Sequence, residues 1–421
     1  MLMSYDAAAL DRLRSTPLPT GTKGVPPAAD AMTLGELAGQ GWHVDDLALP
    51  AMLLLDSALA ANIETMARYC ARNDVWLAPH GKTSMAPQLL ARQVDAGCWA
   101  LTAATDAHLR VYRSFGFSRI LLANELVDRA TAAWLAHELA ADEELELYVF
   151  VDSPEAVERL EALGSERPAL ALVELGFEGG RAGCRDLASA IATAEAVGRS
   201  GYVRLAGVSG FEGIIEAGSE EDTLADITRF LGRFGETAQE LASRSLFETD
   251  TVVLTAGGSA YFDIVLDVLC AADLGVPRRI VLRSGCYLTH DIGHYASRSP
   301  FAGRISGDGE LRSAAEVWAR VQSRPEPGLI VAGAGKRDLP LDLGLPRVLD
   351  GIGDVPLGAE AEVRRLSDQH AHVTIDPGLA LRVGDRVAFG ISHPCTLFDK
   401  WRVISVVDDD RKVVDAVLTF F

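Results

Sequence analysis

One lysine of this chain follows a short apolar strand candidate. The segment VWLAPHGKTSMAP places His80, Lys82 and Thr83 directly after the apolar residues of that strand. In barrels of parallel strands the catalytic groups lie at the carboxyl ends of the strands, so this position is suited to chemistry. An amine among apolar neighbours is readily deprotonated and can form a Schiff base, the linkage that pyridoxal phosphate requires. Most lysines are solvated surface charges, but the setting of Lys82 makes it the first catalytic candidate.

Two glycine-rich segments are suited to holding a phosphate beside such a lysine. LTAGGSAYFD contains Gly257, Gly258 and Ser259 between a strand candidate and a helix candidate. Glycines let backbone N–H groups approach an anion at a helix N-terminus, and serine adds a hydroxyl. GFEGGRAGC places Arg181 on a loop after the strand candidate ALALVEL. Barrel turns use glycine in any case, so each segment is weak evidence alone, but together with Lys82 they predict a cofactor site.

A histidine and a cysteine near the end of the chain have the spacing of a metal-ligand pair. In GISHPCTLFDKW, His393 and Cys395 are two positions apart, so an extended backbone places both side chains on one face. Imidazole and thiolate suit Zn²⁺, and two protein ligands leave positions open for substrate and water. An isolated pair of this kind also arises from packing, so the zinc site is a hypothesis.

Three other patterns carry less weight. His290 and His294 have the spacing of a zinc-protease helix, but no glutamate follows the first histidine. GAGKRD imitates a phosphate-binding loop, yet its lysine is followed by arginine where that motif requires serine or threonine. QHAHV, which contains His370 and His372, fits a strand, and the sequence leaves their role open.

The elements that would position these residues alternate regularly. From AMLLLD (51–56) to about residue 290, short apolar runs alternate with Ala-rich stretches of helical periodicity. Eight or nine strand candidates alternating with helices predict an α/β fold, a (β/α)8 TIM-like barrel over 48–298, with an open doubly wound sheet as the alternative. Strands joined by short polar turns predict a mostly antiparallel β-domain over 299–421, which also takes up residues 1–47.

Composition disfavours several classes of partner. The 421 residues include 39 Lys and Arg against 59 Asp and Glu, a formal net charge of −20. This acidic excess disfavours nucleic acid and anionic membranes as partners, and the apolar runs are too short to cross a bilayer. The six cysteines form no CxxC pair, which is typical of reduced thiols in a cytoplasmic protein. We therefore expect a cytoplasmic protein that binds a small molecule.

In combination, these segments resemble the fold type III pyridoxal-phosphate enzymes with an alanine-racemase-like barrel. Within that class they are most similar to the D-serine dehydratase and D-threonine aldolase group. The most specific elements are PHGKT (79–83) and HPC (393–395), and between them GGRAGC, SGFEG, LTAGGSA and RSGCYLTHD fall in the family's order. The resemblance implies a Schiff base between pyridoxal phosphate and Lys82, with zinc at the late pair. The contacts it implies are Lys82, His80, Arg181, Gly257, Gly258, Ser259 and Tyr287 for the cofactor, and His393 and Cys395 for the metal.

The resemblance also implies a reaction. We expect a homodimer that dehydrates D-serine, or another D-3-hydroxy amino acid, to a 2-oxo acid and ammonia. Cys395 favours this reaction, because D-threonine aldolases of the family tend to carry aspartate there. The alternatives are cleavage of D-threonine to glycine and an aldehyde, amino-acid racemisation, and a non-catalytic pyridoxal-phosphate carrier. SGFEG departs from the family at Phe211 and Glu212, so the sequence leaves the substrate neighbourhood open.

Overall fold

The computed structural model describes residues 3–161, 164–307, 309–349 and 353–421. The helices are α1 (Ala7–Leu13), α2 (Leu34–Gly39), α3 (Asp56–Arg72), α4 (Pro87–Asp95), α5 (Asp106–Ser114), α6 (Arg129–Ala141), α7 (Pro154–Leu160), α8 (Leu187–Val197), α9 (Glu220–Ser243), α10 (Phe262–Leu269) and α11 (His294–Arg298). The strands are β1 (Ala51–Leu55), β2 (Trp76–Leu77), β3 (Leu101–Ala103), β4 (Arg119–Glu125), β5 (Glu146–Val151), β6 (Ala169–Leu175), β7 (Val203–Gly210), β8 (Val252–Ala256), β9 (Arg278–Leu282), β10 (Ala315–Glu326), β11 (Leu329–Ala332), β12 (Arg347–Val348), β13 (Glu362–Leu366), β14 (Ala371–Thr374), β15 (Arg386–Gly390), β16 (Val403–Val407) and β17 (Val413–Leu418).

Eight parallel strands form a barrel in the order β2-β9-β8-β7-β6-β5-β4-β3. The two end strands meet through the backbone, because the amide of Trp99 donates to the Leu77 carbonyl at 2.8 Å and that of Thr102 to the Pro79 carbonyl at 2.9 Å. Buried side chains fill the interior, and helices cover the outside. Strands that are buried on both faces consist of continuous apolar residues. Their alternation with amphipathic helices can therefore be recognised in the sequence. The predicted α/β barrel is confirmed.

In the described part of the chain, nine further strands form a second sheet, whose strands do not pair with those of the barrel. Its main path is β13-β14-β11-β10-β1-β16-β17, and β15 pairs with β10 and β12. All of these pairs are antiparallel except β1 with β16. The Pro/Gly-rich stretch near 323–328 contains the turn that joins β10 to β11. The predicted mostly antiparallel β-domain is confirmed.

The strand Ala51–Leu55 belongs to the second sheet and not to the barrel, where the sequence places it within 48–298. It pairs antiparallel with β10 and parallel with β16. The barrel strands begin instead at Trp76. A short apolar run looks the same in either sheet, so its pattern predicts a buried strand but not the sheet that receives it.

The N-terminal segment divides between the two units. The amide of Asp6 donates to the Phe115 carbonyl at 2.8 Å, so the chain around α1 packs against the barrel. Helix α2 packs through Leu37 in an apolar cluster that includes residues of β17. The assignment of 1–47 to the β-domain therefore suits α2 but not α1, and its first two residues lie outside the described part of the chain.

None of the described helices combines the length and the apolar character that a bilayer crossing requires. The longest, α9, has 24 residues and is amphipathic. Its buried face includes Phe230, Phe234 and Leu241, while its first turn carries three acidic residues. It therefore packs one face on the barrel and exposes the other.

Candidate active site

Lys82 lies on a tight turn just beyond the carboxyl end of β2, where the sequence predicts it. Residues Gly81–Thr83 form a single 3-10 turn. Gly81 and Thr83 are buried, whereas the Lys82 side chain is exposed. Packing of the two neighbours thus fixes the turn, and the amine stays accessible to a ligand.

Gly81 has no room for a side chain. A Cβ at Gly81 would overlap the hydroxyl oxygen of Tyr112 and lie 2.8 Å from Cδ2 of Leu90. Tyr112 is fully buried, and its hydroxyl donates to the Thr102 carbonyl at 3.2 Å. The glycine beside the lysine is therefore required by a tertiary contact.

We expect Gly81→Ala to lower the free energy of unfolding by about 1–3 kcal/mol, because the added methyl group overpacks this site. Adding Tyr112→Phe should recover part of the loss, since it removes the overlapping oxygen. Urea unfolding of the two single variants and the double variant measures the coupling. The control is Gly39→Ala, whose Cβ would meet nothing within 4 Å. Equal stability of Gly81→Ala and wild type would contradict the steric argument.

Three cationic side chains converge on His80. Burial, followed by the positive charges of Lys82, Arg283 and Arg181, holds the pKa of His80 well below its ordinary range. Among the described residues, the buried Nδ1 of His80 has no hydrogen-bond partner. Arg181 is exposed, and its Cζ lies 5.3 Å from the ring centroid of Phe211. This mouth of the barrel is therefore suited to an anionic ligand, and the structure brings Lys82, His80 and Arg181 together there.

The predicted phosphate loop is held by a carboxylate. The N–H groups of Gly257 and Gly258 donate to the Glu212 carboxylate at 3.1 and 2.7 Å. Gly257 has a φ of +89°, which turns its amide toward that carboxylate, and Glu212 is fully buried. Two convergent amides on one carboxylate form an anion-binding arrangement. The expectation that Gly257, Gly258 and Ser259 grip a phosphate stays a prediction, and the half-buried Ser259 takes no part in the bonds to Glu212.

Arg283 is buried inside the barrel and no motif argument from the sequence singled it out. Its guanidinium donates to Thr255 Oγ1 at 2.8 Å and to the Gly210 carbonyl at 2.6 Å. Burial lowers the pKa of Arg283 to about 10, although the charges of Glu212 and Glu174 oppose this shift. Arg283 therefore ties the carboxyl ends of β7 and β8 together inside the barrel.

Glu174 lies on β6 next to a second carboxyl group. Burial first, and then the hydrogen bond and charge of Glu125, raise the pKa of Glu174 to about 8, against the opposing charges of Arg283 and Arg181. At neutral pH the Glu174 carboxyl is therefore mostly protonated. Two acids can share one proton in this way without a net negative pair inside the barrel.

This shift predicts a pH dependence of stability. The pKa of Glu174 is raised from its ordinary value of 4.5 to about 8, so the folded state holds the proton more tightly than the unfolded state. The stabilisation is fully present below about pH 4.5 and is lost as the pH rises through about 8. Relative to wild type, Glu174→Gln should therefore be more stable at pH 8.5 than at pH 5, as measured by urea unfolding at both values. The exposed Glu178→Gln is the control, and a pH-independent difference for Glu174→Gln would contradict the shift.

A second cluster consists of three soft donors. The ligand atoms of Cys286, His393 and Cys395 lie within 4.8 Å of one another. The structure thus brings together the predicted pair and adds Cys286, a residue of the segment RSGCYLTHD to which the sequence assigned no role. The two sulfur atoms are 3.3 Å apart. As two sulfurs and one imidazole, the donors fit Zn²⁺.

A carboxylate orients the histidine of this cluster. Nδ1 of His393 lies 2.7 Å from Oδ2 of Asp342, which leaves Nε2 for a metal. Burial disfavours the charged imidazole, but the Cys395 sulfur and the Asp342 carboxylate outweigh it and raise the pKa of His393 to about 9. Carboxylates behind ligating histidines are typical of zinc sites. Asp342 was not identified from the sequence, because it precedes His393 by 51 residues.

Thr83 joins the lysine turn to the donor cluster. Its hydroxyl oxygen lies 3.3 Å from Sγ of Cys395 and 3.7 Å from Sγ of Cys286. Because Lys82 directly precedes Thr83, the backbone of the lysine turn lies beside the three donors. Thr83 and Cys395, which are 312 positions apart in the sequence, are therefore neighbours.

Tyr287 is buried in the core, and its contact with the cofactor stays a prediction. Its side chain is 1% exposed, and its hydroxyl accepts a hydrogen bond from Nε2 of Gln93 at 2.8 Å. The preceding Cys286 faces the donors instead, because adjacent residues of the 3-10 turn Cys286–Leu288 point in different directions. An aromatic ring next to the donors is that of Tyr295, whose centroid lies 6.0 Å from that of His393.

The remaining histidines take no part in the donor cluster. Helix α11 begins at His294, so His290 precedes it and the two do not form a helical pair. The ring of His294 lies 6.2 Å from that of His393. His372 lies on β14 with Nε2 3.2 Å from the Ser367 hydroxyl, and His370 is exposed.

Comparisons with known proteins agree with this fold. Residues 314–407 match the family model described as "Putative serine dehydratase domain". No curated protein sequence matches the chain. Among solved structures, D-threonine aldolase from Filomicrobium marinum is 24% identical, with a TM-score of 0.76 over 90% of this chain and 97% of that one. D-threo-3-hydroxyaspartate dehydratase from Delftia sp. HT23 is 19% identical, with a TM-score of 0.69 over 88% and 97%.

The fold extends to a third kind of enzyme. Alanine racemase of Clostridium difficile 630, in complex with cycloserine, is 16% identical, with a TM-score of 0.59 over 89% of this chain and 99% of that one. A D-threo-3-hydroxyaspartate dehydratase with one cysteine replaced by alanine, in the metal-free form, also matches, with a TM-score of 0.69 and 19% identity over 88% and 97%. The alanine-racemase-like fold is therefore shown. The resemblance drawn from the sequence motifs is confirmed.

Proposed function

We propose that this chain, with its alanine-racemase-like barrel and serine dehydratase domain, is a pyridoxal-phosphate- and zinc-dependent dehydratase of D-3-hydroxy amino acids. D-serine is the first substrate to test. The proposal depends chiefly on one contact, that of Thr83 with Cys395 at 3.3 Å. It brings the turn that carries the candidate cofactor lysine next to donors able to hold a metal. A cofactor linked to Lys82 would assist in breaking the Cα–H bond, and a metal at the donors would assist in breaking the adjacent Cβ–O bond.

The residues of the barrel mouth fit pyridoxal phosphate. Lys82 offers an accessible amine, and the buried, unpartnered Nδ1 of His80 lies near its charge, as judged among the described residues. Ser259, before helix α10, and Arg181 offer a hydroxyl and a positive charge to the phosphate or to a carboxylate. Bound at this mouth, the cofactor supplies an electron sink for negative charge at the substrate Cα.

Lys82 is also the candidate base. With cofactor and substrate bound at this mouth, the Lys82 Nζ would be the group that takes the proton from Cα. Burial, followed by the positive charge of the nearby Lys82, lowers the pKa of both His80 and the half-buried His108. Neutral imidazoles beside the amine do not repel a proton arriving there.

The donor cluster assists the leaving group. A divalent metal held there supplies Lewis-acid help to the β-hydroxyl, which is otherwise a poor leaving group near neutral pH. Asp342 holds the His393 ring so that Nε2 faces the metal. Loss of the Cα proton and the hydroxyl releases water and an enamine, which takes up water and yields a 2-oxo acid and ammonia.

Two observations bear on dehydration against aldol cleavage. The dehydratase domain match and the cysteine-to-alanine dehydratase variant in its metal-free form support dehydration through a cysteine-bound metal. The D-threonine aldolase has the higher TM-score, 0.76, so cleavage to glycine and an aldehyde is the second candidate. Both reactions need the same cofactor and differ in which bond at Cα or Cβ breaks.

One experiment separates the candidates. The protein, loaded with pyridoxal phosphate and zinc, is incubated with D-serine, D-threonine and D-threo-3-hydroxyaspartate, and 2-oxo acid, ammonia, aldehyde and L-isomer are measured. We expect equal amounts of 2-oxo acid and ammonia, lost on chelation and regained with zinc. Glycine with aldehyde would indicate an aldolase, L-isomer a racemase, and no turnover a carrier.

The assembly and location are proposals of the same kind. We propose a homodimer, which light scattering tests against the 45.0 kDa of one chain. The cytoplasmic location expected from the unpaired cysteines stays a prediction.

A further inference from the structure

The predicted metal pair has a third donor from a distant part of the chain. Cys286 lies on the 3-10 turn after β9, while His393 precedes the 3-10 turn Pro394–Thr396 after β15 and Cys395 lies within it. Cys286 is buried, and its sulfur lies 3.3 Å from that of Cys395. All three ligand atoms fall within 4.8 Å of one another.

We propose that Cys286 is a third protein ligand of the metal, which is then held by two sulfurs and one imidazole with one position open. This inference rests on the proposed function, because the metal is the one invoked there. In a two-ligand site, only His393 and Cys395 would bind the metal and the Cys286 thiol would not. The two arrangements differ in the number of sulfurs bound and can be told apart without turnover.

The distances are close to those of a tetrahedral site. With metal–sulfur bonds of about 2.3 Å, two ligating sulfurs lie about 3.8 Å apart, and a sulfur and a ligating nitrogen about 3.6 Å apart. The observed sulfur separation of 3.3 Å needs only a small opening to reach that value. A disulfide, at about 2.05 Å, would require a larger approach in the opposite direction.

The surroundings of Cys286 suit a bound thiolate. The Thr83 hydroxyl oxygen lies 3.7 Å from its sulfur. Hydroxyl donors around a ligating thiolate orient it and offset part of its charge. The Asp342 carboxylate likewise orients the His393 ring, through the contact of its Oδ2 with Nδ1.

The third ligand has two consequences for the chemistry. Two thiolates neutralise a divalent ion and select soft or borderline metals, so the site should prefer Zn²⁺ and Co²⁺ to Mg²⁺ and Mn²⁺. Three protein ligands leave a single position in a tetrahedral site, as in catalytic zinc sites. The substrate hydroxyl would occupy that position in place of water.

Cobalt substitution of the pyridoxal-phosphate-loaded protein tests the proposal. The sulfur-to-cobalt charge-transfer absorbance per bound Co²⁺ should fall by about half in Cys286→Ser, because one of two thiolates is lost. The affinity for Co²⁺ should fall by at least about 10-fold. Unchanged absorbance and affinity in Cys286→Ser would overturn the proposal. The matched control is Cys270→Ser, an exposed cysteine outside the cluster, which should leave both unchanged.

A second measurement needs no variant and covers the case in which Cys286→Ser does not fold. X-ray absorption of the zinc-loaded wild type should show two sulfurs at about 2.3 Å and at least one nitrogen. One sulfur would overturn the proposal. Because neither readout involves substrate, two bound sulfurs with no turnover would disprove the proposed function and leave the third ligand standing.

Discussion

Lys82→Ala should abolish turnover, lowering kcat by at least about 10³-fold, because it removes both the cofactor linkage and the candidate base. The exposed amine on the turn Gly81–Thr83 carries out both roles in the proposed reaction. The variant should also lack the visible absorbance band of a lysine Schiff base when pyridoxal phosphate is added. Absorbance and 2-oxo acid production in the same samples measure the two losses separately.

The control for this prediction is Lys336→Ala. Lys336 is an exposed lysine of the β-domain in the segment GAGKRD, which only imitates a phosphate-binding loop. It should keep the absorbance band and the turnover of the wild type. A Lys82→Ala protein that kept the band would place the Schiff base on another lysine, and every version of the proposed function would fail with it.

His393→Ala should lower kcat by about 10³-fold and release the metal, because several kcal/mol of Lewis-acid assistance are lost. The lysine absorbance band should remain, since His393 does not belong to the turn that carries Lys82. Asp342→Asn, which keeps the ring but weakens its orientation, should have a smaller effect of about 10-fold to 100-fold. Metal content per chain and kcat with D-serine should both fall further in His393→Ala than in Asp342→Asn.

His370→Ala is the control for the metal prediction. His370 is an exposed histidine of the same β-domain and should change neither metal content nor kcat. Full turnover by a metal-depleted His393→Ala protein would remove the metal from the reaction and favour a mechanism that uses Lys82 alone.

The features that the sequence predicted correctly are local. The barrel is readable because strands buried on both faces are short apolar runs, separated by helices with their own period. The lysine turn and the HPC segment are readable because their residue types imply their chemistry. That the two segments meet is decided by the tertiary structure, in which the Thr83 hydroxyl oxygen lies 3.3 Å from Sγ of Cys395.

The features that the sequence did not predict depend on partners far along the chain. The Glu212 carboxylate accepts hydrogen bonds from the amides of Gly257 and Gly258, which are 45 and 46 residues away in the sequence. The sulfur of Cys286 lies beside that of Cys395, which is 109 residues away. The residues adjacent to Glu212 and Cys286 in the sequence do not indicate these distant partners. Arg283 was missed for the same reason, since its bonds to Thr255 and Gly210 form only inside the closed barrel.

The amino-acid sequence by itself determined the order of the strands and helices, the barrel class and the chemistry available at Lys82, His393 and Cys395. The tertiary structure alone decided which sheet receives β1, that Tyr287 turns into the core, and that Cys286 turns toward His393 and Cys395. The physical reason is that periodicity and side-chain chemistry are properties of adjacent residues. The direction of a side chain and the identity of its distant partner follow from packing, which adjacent residues do not encode.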